Sequence, residues 1–469
     1  MTITARQPTR KHIFHEITRS LCPECRRVVD AQVLIRDGSV YLRKRCPDHG
    51  WHEALVSSDA DWHLNSQVYN KPGAIPYDFC TAVERGCPRD CGLCPEHQQH
   101  TCIAVIEITT RCNLGCPTCF ADSGTGHDLS VAQVEAMLDR LLETEGQPEV
   151  VQISGGEPTL HPQLLAILEA ARARDIGYVM LNTNGLRLAK DRDFVRQLAR
   201  WKPAIYLQFD GLCAGTYQAL RGRDLRDVKR QALDNLAEVG LYAVLVATLT
   251  QGVNEGEIGD ILRFGLEHPA VLGVSYQPVT FAGRCPGDHD PLHRLTLPDV
   301  LHALEGQTGG LFRADDFRPV PCPHPTCSAS AYAVVHDGGV TPITRLLNVD
   351  DYLDFVTNRT VPDLSDQLQP VMEALWSMAA VMGSDRTTGN LTCVTCDLTL
   401  PLEAIGQFGK ESFFLVHVHA FMDEHTFDVK RLMKCCIHEL LPDGRTVPFC
   451  AYNVLGYREQ VQEEMRDEG

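Results

Sequence analysis

Between Ala104 and Val279 the chain alternates short apolar runs with amphipathic segments. The apolar runs are AVIEIT (104–109), EVVQIS (149–154), YVMLNT (178–183), AIYLQF (204–209), YAVLVATL (242–249) and VLGVSYQPV (271–279). Each is nearly continuous rather than alternating, as expected of a strand covered on both faces. Between them, LSVAQVEAMLDRLLETEG puts Val134, Met137, Leu138, Leu141 and Leu142 on one helical face, and Ser130 with Gln133 makes a capping box. PQLLAILEAARARDIG and DLRDVKRQALDNLAEVG keep the same period and end at glycine. Strand and helix in alternation predict an α/β fold with a parallel sheet, either curled into a partial barrel or left open and doubly wound. Before residue 100 and after 280 this period fades and cysteines take over.

Composition narrows the class. At 469 residues, two or three domains are expected. Hydrophobic content of 44% and charged content of 22% suit a soluble enzyme. The apolar stretch FFLVHVHAFM (Phe413 to Met422) is too short to span a bilayer. The N-terminus MTITARQPTRKHIF lacks an apolar signal region, so a cytoplasmic location is expected. A net charge of −18 argues against a nucleic-acid partner. The 20 cysteines, in C-x2-C spacings and without a secretion signal, read as metal thiolates rather than disulfides.

The spacing C-x3-C-x2-C occurs twice, at Cys87, Cys91 and Cys94 and at Cys112, Cys116 and Cys119. The second triplet directly follows the first strand, where α/β sheets gather their ligands. Three thiolates leave one iron of a four-iron cluster open for a substrate or cofactor, as a catalytic metal requires. The first triplet has no strand before it and has Cys102 close by as a fourth thiolate, which suits a closed auxiliary cluster or a zinc site. Cys22, Cys25 and Cys46 outline a smaller site for zinc or a single iron, with His49 or Cys80 as the fourth ligand. Cys322, Cys327, Cys393, Cys396, Cys435, Cys436 and Cys450 suffice for one further cluster without fixing its ligands. His417, His419 and His425 read as packing or hydrogen-bonding residues rather than ligands.

The second triplet with Phe120 after it resembles the radical S-adenosylmethionine (radical SAM) superfamily, and SGGEP (Ser154 to Pro158) resembles that superfamily's GGE motif. The resemblance implies that Cys112, Cys116 and Cys119 hold the catalytic [4Fe–4S] cluster. It implies a SAM site at Phe120, Gly155, Gly156 and Glu157, and at Asn182 and Asn184 in NTNG and Gln208 and Asp210 in QFDG. Glycines let backbone approach a ligand, and a carboxylate meets an ammonium. The layout of the whole chain is similar to the tetraether lipid synthase and class D radical SAM methyltransferase-like family, most specifically in segments 1–125 and 410–455.

That family implies two to three [4Fe–4S] clusters, SAM, and one rubredoxin-like iron or zinc. It implies either C–C bond formation on lipid alkyl chains, the leading expectation, or methylation of a pterin-like ring from a methylene-folate-type donor. Reductive cleavage of SAM implies a flavodoxin or ferredoxin partner. A lipid substrate would require transient membrane contact without a membrane-spanning segment. The expected organisation is a metal module over 1–79, an auxiliary iron–sulfur segment over 80–103, the radical SAM core over 104–280 and a substrate or cluster region over 281–469.

Overall fold

The computed structural model describes residues 11–123, 126–285, 290–336, 339–345 and 413–467. Strands β1 (Ile13–Leu21), β2 (Val28–Arg36), β3 (Ser39–Cys46) and β4 (Gly50–Ser57) form a small antiparallel sheet in chain order. Its buried side carries Ala31, Val33, Val40 and Leu42, against which α1 (Ala60–Ser66) packs Ala60. Lys44 is 1% exposed and fastens this ribbon to the C-terminal region. Its Nζ donates to Ser20 Oγ at 3.0 Å and to the carbonyls of Glu424 and His425 at 2.6 and 2.9 Å.

All six expected strands form: β5 (Ile103–Thr109), β6 (Val150–Gly155), β7 (Tyr178–Thr183), β8 (Ala204–Gln208), β9 (Ala243–Leu249) and β10 (Val271–Pro278). They pair in chain order and in parallel. The connections carry α2 (Val131–Glu145), α3 (Leu164–Arg172), α4 (Leu186–Lys190), α5 (Arg192–Leu198), α6 (Ala214–Arg221), α7 (Arg226–Glu238) and α8 (Ile258–Glu267). On α2 the capping box of Ser130 and Gln133 is present, and Val134, Met137, Leu138 and Leu141 are buried as expected. Leu142, at the edge of that face, is half-buried.

The sheet extends past the six strands at both ends. Helix α9 (Leu297–Thr308) packs on α8, and β11 (Arg318–Pro319), β12 (Ser328–His336) and β13 (Gly339–Pro342) follow. Strand β14 (Phe413–His419) runs parallel beside β10, with β12 antiparallel on its far side. After α10 (Val429–Met433), β15 (Ile437–Leu440) runs parallel beside β5 and carries β16 (Thr446–Pro448). Helices α11 (Phe449–Val454) and α12 (Tyr457–Asp467) complete the described chain.

The result is a mixed α/β fold whose parallel core is a partial barrel. Ile106, Ile108, Ile153, Leu181, Leu207 and Leu245 belong to its main apolar cluster and are fully buried. Across the interior, the Tyr206 hydroxyl on β8 bonds Ser275 Oγ on β10 at 2.7 Å. FFLVHVHAFM supplies β14, and among the described residues no helix is long and apolar enough to cross a membrane.

Candidate active site

A cavity of about 300 Å³ opens at the C-terminal ends of the parallel strands. Cys112, Cys116 and Cys119, from the loop after β5, all line it. Two backbone straps hold that loop. Gly156 N and Glu157 N donate to the carbonyls of Thr109 and Arg111, each at 2.8 Å. Cys119 and Arg284 exchange backbone bonds of 2.8 and 2.9 Å, and Arg284 Nε reaches the Cys116 carbonyl at 2.9 Å.

The glycines of SGGEP are required by the first strap. Gly155 has φ of 124°, and a Cβ there would lie 2.2 Å from the Thr109 carbonyl oxygen; one on Gly156 would lie 2.3 Å from that of Arg111. Close backbone approach is therefore real, and its partner within the chain is the cysteine loop.

Glu157 lines the cavity but is 1% exposed. Its carboxylate accepts from Thr159 N (3.1 Å), Thr159 Oγ1 (2.5 Å), Thr183 Oγ1 (2.8 Å) and Asn184 N (2.7 Å). It thus ties the turn after β6 to the turn after β7. Asn184 Nδ2 continues the chain to Asn113 Oδ1 at 2.8 Å, inside the cysteine loop. Asn182 donates to Ser154 Oγ at 3.1 Å, while its own Oδ1 is buried without a partner.

Gln208 lines the cavity, but Asp210 does not sit where a cofactor residue was expected. Asp210 is fully buried and grips Arg221 of α6 through Nε (2.7 Å) and Nη2 (2.6 Å). The turn after β8 aims its carboxylate at the helix, and Arg221 is the member of the pair that faces the cavity. Arg221 also donates to the Thr118 carbonyl at 2.9 Å and places its positive charge near the Cys116 thiol. Burial raises the Cys116 thiol above its ordinary range, and this guanidinium opposes the rise.

Lys229 of α7, absent from the sequence reading, is also fully buried. Its Nζ bonds the Asn184 carbonyl (2.6 Å) and Gln208 Oε1 (2.9 Å). Burial lowers its pKa to about 7.

The rest of the wall was partly missed. Glu107, Gln152, Tyr206 and Gln277 face the cavity from strands, and Arg458 enters from α12. Phe120 stacks on Phe449 with centroids 5.3 Å apart and parallel planes, and Phe421 tilts against both at 5.7 and 4.9 Å. The signal available in the sequence was a polar residue flanked on both sides by apolar ones within a strand run, as Glu107 in AVIEIT and Gln152 in EVVQIS.

The other cysteines fall into separate groups. Cys22, Cys25, Cys46 and His49 bring one ligand atom each within 4.8 Å of one another. His49 therefore completes this set. Cys80 lies instead beside Leu93, with Sγ 3.7 Å from its carbonyl. Three sulfurs and one imidazole fit a structural zinc.

Cys87, Cys91 and Cys94 lie near one another, and burial together with their mutual charges raises the Cys91 thiol well above its ordinary range. The further thiol that acts on Cys91 is Cys450, not Cys102. Cys102 departs from its expected place because it leads into β5. Its backbone N bonds the Cys436 carbonyl at 2.9 Å, and its side chain lines one small cavity together with Cys322 and Cys436. Cys435 packs against the group of Cys102 and Cys436, and Cys327 accepts from Arg431 Nη2 at 3.4 Å. Cys393 and Cys396 fall outside the described residues. His417 and His419 are buried, and His417 Nδ1 is 2.8 Å from Ser330 Oγ.

Comparison with known proteins agrees with this geometry. Residues 106–265 match the radical SAM superfamily, and residues 14–58 match the HMPTM N-terminal zinc ribbon domain. The chain is 34% identical to a 7,8-dihydro-6-hydroxymethylpterin dimethyltransferase of Methanocaldococcus jannaschii over 95% of both chains. It is 29% identical to a mycofactocin maturase of Mycobacterium tuberculosis over 36% of this chain and 43% of that one. Among solved structures, Streptococcus suis SuiB aligns with a TM-score of 0.38 and 21% identity, over 45% of this chain and 46% of SuiB. With residues 14–58 and 106–265 matched, and a relative 34% identical over 95% of both chains, this chain is an enzyme that belongs to the radical SAM superfamily and, within it, to the family of the Methanocaldococcus jannaschii protein.

Proposed function

We propose that this enzyme methylates a ring carbon of a pterin-like heterocycle, drawing the carbon from a methylene-folate-type donor. The observation that carries this reading is the wall of the cavity. Gln152, Asn182, Tyr206, Gln277, Glu107 and Arg458 offer hydrogen bonds, and Phe120, Phe421 and Phe449 offer an aromatic flank. A flat bicyclic ring has amide edges and π faces that suit such a site. An alkyl chain would desolvate those polar groups and offer none of them a hydrogen bond in return, so lipid coupling becomes the second reading. The dihydropterin named for the 34% identical relative supports the same choice.

Cys112, Cys116 and Cys119 would hold the catalytic [4Fe–4S] cluster, with SAM between it, the GGE turn and the ends of β7 and β8. When bound, the cluster and SAM supply a carbon radical able to open a C–H bond. The chain's own part is to position and enclose. Glu157 fixes two turns at once, Arg221 sets a cation against the cysteine loop, and the partial barrel limits access of water. Cys87, Cys91 and Cys94 with Cys450, and Cys102 with Cys322 and Cys436, are the candidate auxiliary sites, and zinc is the candidate ribbon metal. A flavodoxin or ferredoxin in the cytoplasm would deliver electrons.

The test is anaerobic incubation with reductant, SAM, a dihydropterin and a methylene-folate-type donor. Expected are 5′-deoxyadenosine and a methylated pterin, both lost in Cys112→Ala. Deuterium transfer from a labelled phospholipid to 5′-deoxyadenosine, with pterin unchanged, would overturn the reading in favour of lipid chemistry.

A further inference from the structure

Glu107 stands between two cavities. It lines the reaction cavity and also a smaller one behind it, bounded by His127, Glu439, Tyr452 and Gln462. Arg458 Nη1 donates to both Glu107 oxygens, at 2.6 Å to Oε2, and the Tyr452 hydroxyl adds a bond of 3.2 Å. The remaining Arg458 nitrogens are spent on Asn453 Oδ1, with Nε at 3.2 Å and Nη2 at 2.6 Å.

Glu439 of β15 has no comparable partner. It is 1% exposed, and both carboxyl oxygens are buried without a hydrogen bond. The parallel register puts it beside Val105, two residues before Glu107 and so on the same face of the sheet. A half-buried and a fully buried carboxyl therefore face one guanidinium, and in a low-dielectric site one cation cannot hold two anions. Arg458 is bonded to Glu107, which leaves Glu439 as the neutral acid. Burial, and then the charge of Glu107, push the Glu439 carboxyl well above its ordinary range, with Arg458 opposing. Tyr452 and His127 are the other titratable groups around this cavity. Adjacent carboxyls driven to opposite protonation states are the arrangement that assigns acid and base in a site.

We infer that Glu439 is a proton store for the reaction cavity and that Glu107 passes its proton to a ring nitrogen of the substrate. The inference rests on the heterocycle reading above. Glu439 gives its proton, through a water in the smaller cavity that both side chains line, to the Glu107 carboxylate, and Glu107 gives it to an imine-type nitrogen. One O–H bond breaks, one N–H bond forms, and no electron changes hands. Glu439, left as a carboxylate, regains a proton from water through the smaller cavity. Protonation draws electron density from the ring and opens the neighbouring carbon to attack by a carbon radical. Glu107 is then a catalytic residue, and Glu439 a positioning residue that acts through it.

The experiment pairs infrared spectroscopy with turnover, both on the holoenzyme. Wild-type protein at neutral pH should show a protonated-carboxyl band that shifts in heavy water. The band should vanish in Glu439→Gln and weaken in Glu107→Gln, where Arg458 is left to face Glu439 alone. Glu439→Gln should lower methylated product by about tenfold or more and flatten its pH profile, with partial recovery in Glu439→Asp. No such band in the wild type, or a Glu439→Gln enzyme with wild-type turnover and pH profile, overturns the inference. A wild type that cleaves SAM but methylates no pterin overturns the proposed function alone, and the band then still decides whether the proton store exists.

Discussion

Asp210 and Arg221 form the buried ion pair on which the cysteine loop rests, with side-chain exposures of 0% and 8%. Asp210→Asn would leave the guanidinium without its counter-charge, at a cost of about 3–5 kcal/mol. Anaerobic denaturant unfolding measures that loss. Because Arg221 also bonds the Thr118 carbonyl inside the cysteine loop and sets its charge near Cys116, the loaded variant should show an altered electron paramagnetic resonance spectrum as well.

Lys229 gives a pH-dependent counterpart. Its folded pKa of about 7 lies below the ordinary 10.5, so between those values the unfolded chain binds more protons. Wild-type stability should therefore rise with pH across that window relative to Lys229→Met, by up to roughly 1.4 kcal/mol per pH unit. Equal slopes in the two proteins would refute it. Neither Lys229 nor Arg221 was legible in the sequence, because each acts from a helix whose basic residues read as solvent-facing. Cys102 misled for a related reason: closeness along the chain to Cys94 is not closeness in space once a strand begins at Ile103.

Among the elements, the alternation of apolar runs disclosed all six parallel strands and the capping box of α2. That box makes a clean test, since Ser130 Oγ accepts from Gln133 N at 3.2 Å on an exposed surface. Ser130→Ala should lower stability by about 1 kcal/mol, seen as a reduced denaturation midpoint at unchanged slope. Strands β14 and β15 were hidden. FFLVHVH carries histidines within its apolar run, and the IHEL of β15 is too short to show a period. Both owe their conformation to the open edges of the neighbouring parallel strands rather than to their own pattern.

Across the whole molecule, buried neutral histidines set an acid limit. Burial lowers His63, beside the ribbon, and His417, in the sheet, from 6.5 to about 4. Between those values the unfolded chain binds more protons, so stability is full above pH 6.5 and falls as pH drops toward 4. Melting temperature measured over that range should fall less steeply in His417→Gln than in wild type. The general architecture was readable because burial leaves a mark on local composition. The grouping of cysteines and the polar barrel wall were not, because both arise where distant segments meet.

Pairing of β15 with β5 also dictates the order in which the molecule can be assembled. Ile103 and Ile437 are register partners, yet most of the chain separates them. At ~5–20 residues per second, the first barrel strand leaves the ribosome tens of seconds before β15, its neighbour on the other side from β6, exists. Until that interval ends Cys102 lacks Cys436, and for most of it Cys322 as well, whereas Cys112, Cys116 and Cys119 are already together in one loop. A metal held by the Cys102 group would therefore have to be delivered to a finished chain, whereas one held by the loop could be loaded on a nascent chain.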